Sequence, residues 1–170
     1  MPALPGLQLD FGARMAVDLP CDVIRAAGEG GAGFHQAKDG ERLRPIIAEL
    51  KSFGCRVSLF MDPLPEMMAV AAEIGADRIE LYTEPYAAAF ARNEQKPADA
   101  FAAAAKRAAD VGLGVNAGHD LNLHNLAPFL RTVPNVLEVS IGHALIGDAL
   151  EFGLAETVRR YRRACGDGAA

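Results

Sequence analysis

Four short segments that alternate apolar with polar residues, each set off from the next by a stretch of helical period, constrain this chain more than any other feature. They are Arg56-Val57-Ser58-Leu59-Phe60-Met61, Arg78-Ile79-Glu80-Leu81-Tyr82-Thr83, Leu113 to Ala117 and Val136 to Ile141. Ahead of the first, Leu43, Ile46, Ile47 and Leu50 fall on one helical face that Gly54 closes. Pro65 suits the first turn of a helix running from Met67 to Ile74, which Gly75 stops. A long alanine-rich helix spans about Ala98 to Val111 and ends at Gly112, and a shorter one lies near Asn125 to Thr132. Ala144 to Leu150 and Ala155 to Arg163 read as helices that complete the chain. Strands alternating with helices imply parallel βαβ units, hence an α/β fold.

The two faces of these strands differ. Parallel strands covered on both sides read as unbroken apolar runs. Here one face carries Val57 and Leu59, Ile79 and Leu81, Val115 and Ala117, then Leu137, Val139 and Ile141, while the other carries Ser58, Glu80, Asn116, Glu138 and Ser140. The apolar face packs on helices, so the polar face points elsewhere. In a barrel that direction is the interior, and polar side chains there form a reaction chamber. The alternative is an antiparallel or open sheet with one wet face. The expected architecture is therefore a parallel (β/α) barrel type with about four βα units, in one domain over residues 29–170. Residues 1–28 have scattered Pro and Gly, a weak helical run near Asp22 to Ala27, and no complete βα unit. The stretch from Gly28 to Gly33 reads as a loop and lacks the spacing and preceding strand of a dinucleotide site.

Composition narrows the function classes. With 51% hydrophobic and 23% charged residues the chain reads as a globular domain, and its net charge of −5 argues against a nucleic-acid surface. The cluster Arg159, Arg160, Arg162 and Arg163 sits where cations complement a helix C-terminus. Cys21, Cys55 and Cys165 are far apart and form no CxxC pair, so neither a zinc site nor a disulfide framework is expected. No segment approaches the roughly 20 apolar residues of a membrane span. The N-terminus lacks a basic region followed by an apolar run, so no membrane association and a cytoplasmic setting are expected.

Two segments carry the chemistry, each at the C-terminal end of an expected strand: Asn116-Ala117-Gly118-His119-Asp120-Leu121-Asn122 and Ile141-Gly142-His143-Ala144. Catalytic groups of barrels sit on these βα loops, and phosphate is often gripped by the loops after the last strands. Glycine lets the backbone approach a phosphate, and the helix start beyond it offers free N–H groups. A histidine there can donate or accept a proton near neutral pH. The alternative for each histidine is a loop residue bonded to backbone. His35 and His124 lack such placement and read as surface or helix-cap residues. Glu80, flanked by Ile79 and Leu81, is costly to bury unpaired. It is either in an ion pair with a barrel-lining base or a charge that faces substrate.

These two motifs, together with Val57-Ser58-Leu59-Phe60-Met61-Asp62 and Ala71-Ala72-Glu73-Ile74-Gly75-Ala76, resemble the pyridoxine 5'-phosphate synthase family of vitamin B6 biosynthesis. The likeness runs from about Glu29 to the C-terminus and covers only the second half of the family's TIM-type barrel. It implies condensation of 1-deoxy-D-xylulose 5-phosphate with 3-amino-2-oxopropyl phosphate, two phosphorylated small molecules, without metal or organic cofactor. It further implies that His119 is the general acid, that Glu80 stabilises the transition state, that Asp120 holds the aminoketone phosphate through its backbone, and that Gly142 and His143 cradle phosphate.

Several family signatures are missing. An Asn-x-Asp-His segment, a His-x-Arg pair and a third-strand Glu, which together supply two catalytic bases, have no counterpart here. Ala27 and Gly28 replace a threonine pair, and Tyr82-Thr83-Glu84 stands where the family often reads His-Thr-Gly. Two readings follow beside that of a synthase half-site. One is a non-catalytic half-barrel that binds phosphate or merely associates, whose open sheet edges predict a barrel-like homo-oligomer or complementation by a missing half. The other is an unrelated phosphate-binding barrel.

Overall fold

Among the described residues, consecutive strands pair in parallel with one another along the sequence. The computed structural model describes residues 23–24, 36–94 and 97–166. Its sheet has the order β1-β2-β3-β4-β5, formed by Val23–Ile24, Ser58–Met61, Arg78–Leu81, Gly114–Gly118 and Val136–Ser140. An order that follows the sequence without reversal leaves no topological switch point, in contrast to a doubly wound sheet. Right-handed crossovers then carry every connecting helix to the same side. The outcome is an arc of a (β/α) barrel rather than an open or antiparallel sheet.

The helices are α1 (Gln36–Ser52), α2 (Pro65–Glu73), α3 (Glu84–Ala91), α4 (Pro97–Asp110), α5 (Leu126–Thr132), α6 (His143–Phe152) and α7 (Leu154–Ala164). The expected stops Gly54, Gly75 and Gly112 all have positive φ. At the second of these, Ala76 N–H reaches back to the Ala71 carbonyl and Gly75 N–H to that of Ala72, which satisfies carbonyls the helix leaves open.

The core lies between the outer face of the sheet and these helices. Val57, Leu59, Met61, Ile79, Leu81, Val115 and Ala117 are buried from the strands, against Leu43, Ile47, Met68, Phe101, Ala104, Ala105 and Ala108 from α1, α2 and α4. Each large aliphatic side chain withdrawn in this way contributes about 1.5–3 kcal/mol. Alanine on the buried face of α4 lets that helix lie close to α2. A cluster of rings joins α3, α4 and α5: Tyr86 lies 4.9 Å from Phe129 and 6.1 Å from Phe101, and its hydroxyl donates to the Asn125 carbonyl at 2.9 Å. In α7 the hydroxyl of fully buried Tyr161 donates to Asp148 of α6 at 2.7 Å.

Three expectations need correction. Val23–Ile24 is a strand paired with Ser58–Leu59, not part of a helical run, because its backbone groups find partners on the edge of β2. Helix α3, begun by Glu84-Pro85, fills a stretch in which no element was expected. Leu137 does not share the apolar face. The register steps from Val115 opposite Val136 to Asn116 opposite Glu138, so Leu137 is an extra residue in β5 and is 45% exposed. Val136 takes the buried position instead. In the basic cluster of α7, Arg159 and Arg163 are exposed, whereas Arg160 and Arg162 are half-buried. Arg159, Arg160 and Arg163 all bond Glu156, and those hydrogen bonds hold its carboxyl at about 2.

Candidate functional site

The inner face of the arc is built in layers. Its lower layer is ionic: Arg78 of β3 meets Glu138 of β5 at 2.6 Å and Asn116 of β4 at 2.9 Å, and Arg56 reaches Glu138 at 3.5 Å. The ion pair considered for Glu80 is therefore made by Glu138. The extra residue in β5 restores the register that turns Glu138 inward beside Asn116 and toward Arg78.

One layer up, Glu80 is buried, and its carboxylate accepts no hydrogen bond and joins no ion pair among the described residues. Burial pushes its carboxyl above the usual range, the positive potential of His119 opposes that, and Glu138 reinforces it. Phe60 is its neighbour across the sheet on β2. The Phe60 ring lies 5.5 Å from Tyr82 and meets the His119 ring edge-on at 5.9 Å.

His119 sits just past β4 with φ at 66°, a sense that non-glycine residues seldom adopt. Asp120 N–H bonds the Gly118 carbonyl at 2.9 Å, closing a three-residue turn with His119 at its centre. Such a turn with positive φ is strained by about 1–3 kcal/mol and persists only where its surroundings fix it. Two contacts do so here. His119 N–H donates to the Ser140 carbonyl at 2.9 Å, and the Thr83 hydroxyl donates to the Gly118 carbonyl. Gly118 is required by the approach of β5, since an added Cβ would lie 2.2 Å from the Ser140 oxygen. His119 is thus both bonded through its backbone and exposed through its ring, so the two readings of this histidine are not exclusive.

Beyond it the loop is held by its asparagines. Asn122 accepts from the N–H groups of His124 and Asn125, while Asn125 accepts from Asn122 N–H and donates to the Asp120 carbonyl at 3.2 Å. Asp120 is thereby fixed through its main chain. His124 is exposed ahead of α5, as expected of a surface residue, and His35 lies outside the described residues.

The second motif follows β5. Gly142 caps α6, and a Cβ placed on it would meet no atom within 4 Å. His143 is the first residue of that helix and is exposed. The first-turn N–H groups of a helix have no acceptor within it, and they carry the positive end of its dipole. A cleft of about 510 Å³ lies elsewhere, among α3, α4 and α5, lined by Tyr86, Phe90, Glu94, Asp99 and Pro128. Its carboxylates would repel an anion, so it is not the site of a phosphate. Among the described residues no group of His, Cys, Asp and Glu is arranged to hold a metal ion, and no helix is long and apolar enough to cross a membrane.

The five residues singled out from sequence thus lie on or just past three consecutive strands, β3, β4 and β5. Glu80 is below, His119 and Asp120 are on the loop after β4, and Gly142 and His143 are on the loop after β5. Across residues 20–167 the chain matches the family model of the pyridoxal phosphate biosynthesis protein PdxJ. The chain belongs to this family.

PdxJ relatives extend the match. The pyridoxine 5'-phosphate synthase of Albidiferax ferrireducens is 56% identical over 137 residues, which cover 80% of this chain and 54% of the relative. That of Xanthomonas campestris pv. campestris is 58% identical over 138 residues, covering 81% and 54%. That of Xylella fastidiosa is 58% identical over 133 residues, covering 76% and 50%. The chain spans about half the length of the curated relatives it matches. The PdxJ match begins at residue 20, within the segment expected to lie outside the likeness, where strand β1 is also found. Thr83 and Phe60 were not among the candidates. The resemblance offered one signal, Thr83 in the middle of the stretch expected to read His-Thr-Gly.

Proposed function

We propose that this chain forms the acid and phosphate-binding half of a pyridoxine 5'-phosphate synthase site. In this reading 1-deoxy-D-xylulose 5-phosphate condenses with 3-amino-2-oxopropyl phosphate, and His119 protonates the oxygens that leave during ring closure. Glu80 lies beneath it, stabilising positive charge that develops in the transition state. The main chain at Asp120 holds the aminoketone phosphate. Gly142 and His143 receive phosphate on the first turn of α6, where free N–H groups and the helix dipole favour an anion. No metal or organic cofactor is assigned, and a cytoplasmic setting is the natural one for such a reaction.

The single observation that carries this reading is the contact between the two Gly-His loops. Gly118 lies against Ser140 so closely that no side chain fits, and His119 N–H bonds the same residue two positions before Gly142. Proton donor and phosphate grip are thereby joined by one backbone hydrogen bond. Ring closure also needs bases, and the family's first-half signatures that supply them are absent from the sequence. The chain alone is therefore expected to turn over slowly or not at all.

Thermal melting of the purified chain with and without 3-amino-2-oxopropyl phosphate and inorganic phosphate tests the half-site. Ligands that bind the folded state raise Tm by mass action, by about 2.7 kcal/mol of stability at a hundredfold excess over Kd. A dose-dependent rise that Gly142→Asp abolishes supports the proposal, and no rise at high ligand defeats it. Detectable turnover that His119→Ala abolishes would overturn the expectation of inactivity.

A second reading, a self-associating half-barrel without catalysis, draws on α6. None of its residues is buried, and Ile146 and Leu150, one helical turn apart, are 59% and 87% exposed. Size-exclusion with light scattering distinguishes it: an oligomer that Leu150→Glu dissociates favours association, and a monomer at high concentration counts against it.

A further inference from the structure

Thr83 occupies the N-cap of α3, where a threonine ordinarily turns its hydroxyl onto an N–H of its own helix. It makes no such bond. The side chain is fully buried, and its hydroxyl instead crosses to the next strand and donates to the Gly118 carbonyl. That oxygen also accepts from Asp120 N–H, so it is the acceptor that closes the turn around His119. A capping group has been diverted from its local partner to a residue 35 positions away.

We infer that Thr83 is the positioning residue for His119: its hydroxyl fixes the Gly118 carbonyl and so maintains the positive-φ turn that presents the imidazole beside Phe60. The inference rests on the proposed proton-donor role of His119 and adds a residue to it. Rotation of the Gly118–His119 peptide would carry its carbonyl away from both donors at once. With the hydroxyl in place that rotation leaves a buried donor without a partner, which strongly disfavours it. Phe60 supplies the wall: its ring, 5.9 Å from the imidazole and inclined to it by 63°, sets where the ring lies once the backbone is fixed. Thr83 touches neither substrate nor reacting atoms in this scheme. It acts through the turn.

The test is nuclear magnetic resonance of the full chain, read on the His119 ring and backbone N–H, in the wild type, Thr83→Val and Thr83→Ser. Phe60→Leu identifies the ring-current displacement of the His119 signals. Thr83→Val keeps the shape and removes the donor. It should collapse that displacement and speed solvent exchange of His119 N–H by roughly five- to tenfold, the factor for loss of one ordinary hydrogen bond. Thr83→Ser keeps the hydroxyl and should retain both wild-type features. Unmoved His119 signals in a folded Val variant overturn the inference. If the Val variant does not melt cooperatively, the Ser variant decides, because it loses only the methyl group. His119 signals that shift in Ser show that packing, not the hydroxyl, holds the turn. Inorganic phosphate titrated into the same samples reads Gly142 N–H separately. Absence of a phosphate response defeats the proposed function while leaving the effect of Thr83 on His119 measurable. A normal response with His119 indifferent to Thr83 defeats this inference alone.

Discussion

Replacing Gly118 by alanine should separate the strands that bring the two loops together. Its φ is not positive, so alanine meets no backbone penalty, and the whole effect comes from one methyl group. That methyl would lie 2.2 Å from the Ser140 oxygen and 2.9 Å from the Ser140 carbon and Cβ, whereas ordinary contact begins at 3.4 Å. β4 and β5 must therefore part by about 1 Å at their C-terminal ends, which stretches the 2.9 Å bond from His119 N–H to Ser140. Overpacking of this kind costs about 1–3 kcal/mol, and a lost backbone hydrogen bond adds about 1 kcal/mol. For a chain of this size the sum corresponds to a fall in Tm of roughly 5–15 °C. Circular dichroism melts provide the assay, with Gly142→Ala as the control. A Cβ there meets nothing within 4 Å, so its Tm should remain near that of the wild type while phosphate binding weakens. A Gly118→Ala variant that melts within about 2 °C of the wild type would refute the argument, for it would show that the loops are not held by this contact.

Three further outcomes are expected. Glu80→Gln should stabilise the protein at pH 7, because burial disfavours the charged carboxylate and no hydrogen bond or ion pair offsets that among the described residues. The folded pKa is raised, so this advantage belongs to pH above the folded value and fades as pH falls toward the unfolded one. Melts across that range check it, and a destabilised Gln variant at pH 7 would contradict it. Tyr161→Phe should cost about 2 kcal/mol, since it removes a donor to the Asp148 carboxylate at 2.7 Å that ties α7 to α6. A denaturant titration with unchanged slope and a lower midpoint is the expected result, and an unmoved midpoint would show the tie to be dispensable. His119→Ala should leave the phosphate-induced rise in Tm largely in place while Gly142→Asp removes it, which separates the acid from the grip.

Much of the inner face is legible in the sequence. Alternation at Ser58, Glu80, Asn116, Glu138 and Ser140 gave one polar side to otherwise apolar strands, and all of these residues lie on the inner face of the arc. Local signals of this kind survive because side-chain direction in a strand is fixed by parity. Where parity is broken, the reading fails. Leu137 was misplaced because an extra residue in β5 shifts the register, and one sequence does not reveal a bulge. Helix α3 was missed because Glu84 to Ala91 has weak apolar periodicity, although Glu84-Pro85 after a threonine is a helix start. The choice of ion-pair partner was also hidden. Arg78 and Glu80 are on one face of one strand, and only the neighbouring strands decide that the arginine goes to Glu138 and leaves Glu80 alone. Thr83 matches the middle of the His-Thr-Gly stretch that the resemblance brings in, but nothing in the sequence marks it as a site residue. Its role depends on a bond to a residue on another strand, while its own surroundings describe an ordinary helix cap.

The sequential winding of the sheet has a consequence for how such a chain can be divided. Among the described residues β2 is bonded only to β1 and β3, β3 only to β2 and β4, and β4 only to β3 and β5. No ladder among the described residues links strands that are not consecutive in sequence. A break between two βα units severs a single ladder and leaves every other pairing on either side intact. Architecture of this kind is modular in the way a chain of links is, and its pieces can be joined end to end, doubled or supplied from separate polypeptides while each keeps its internal bonding.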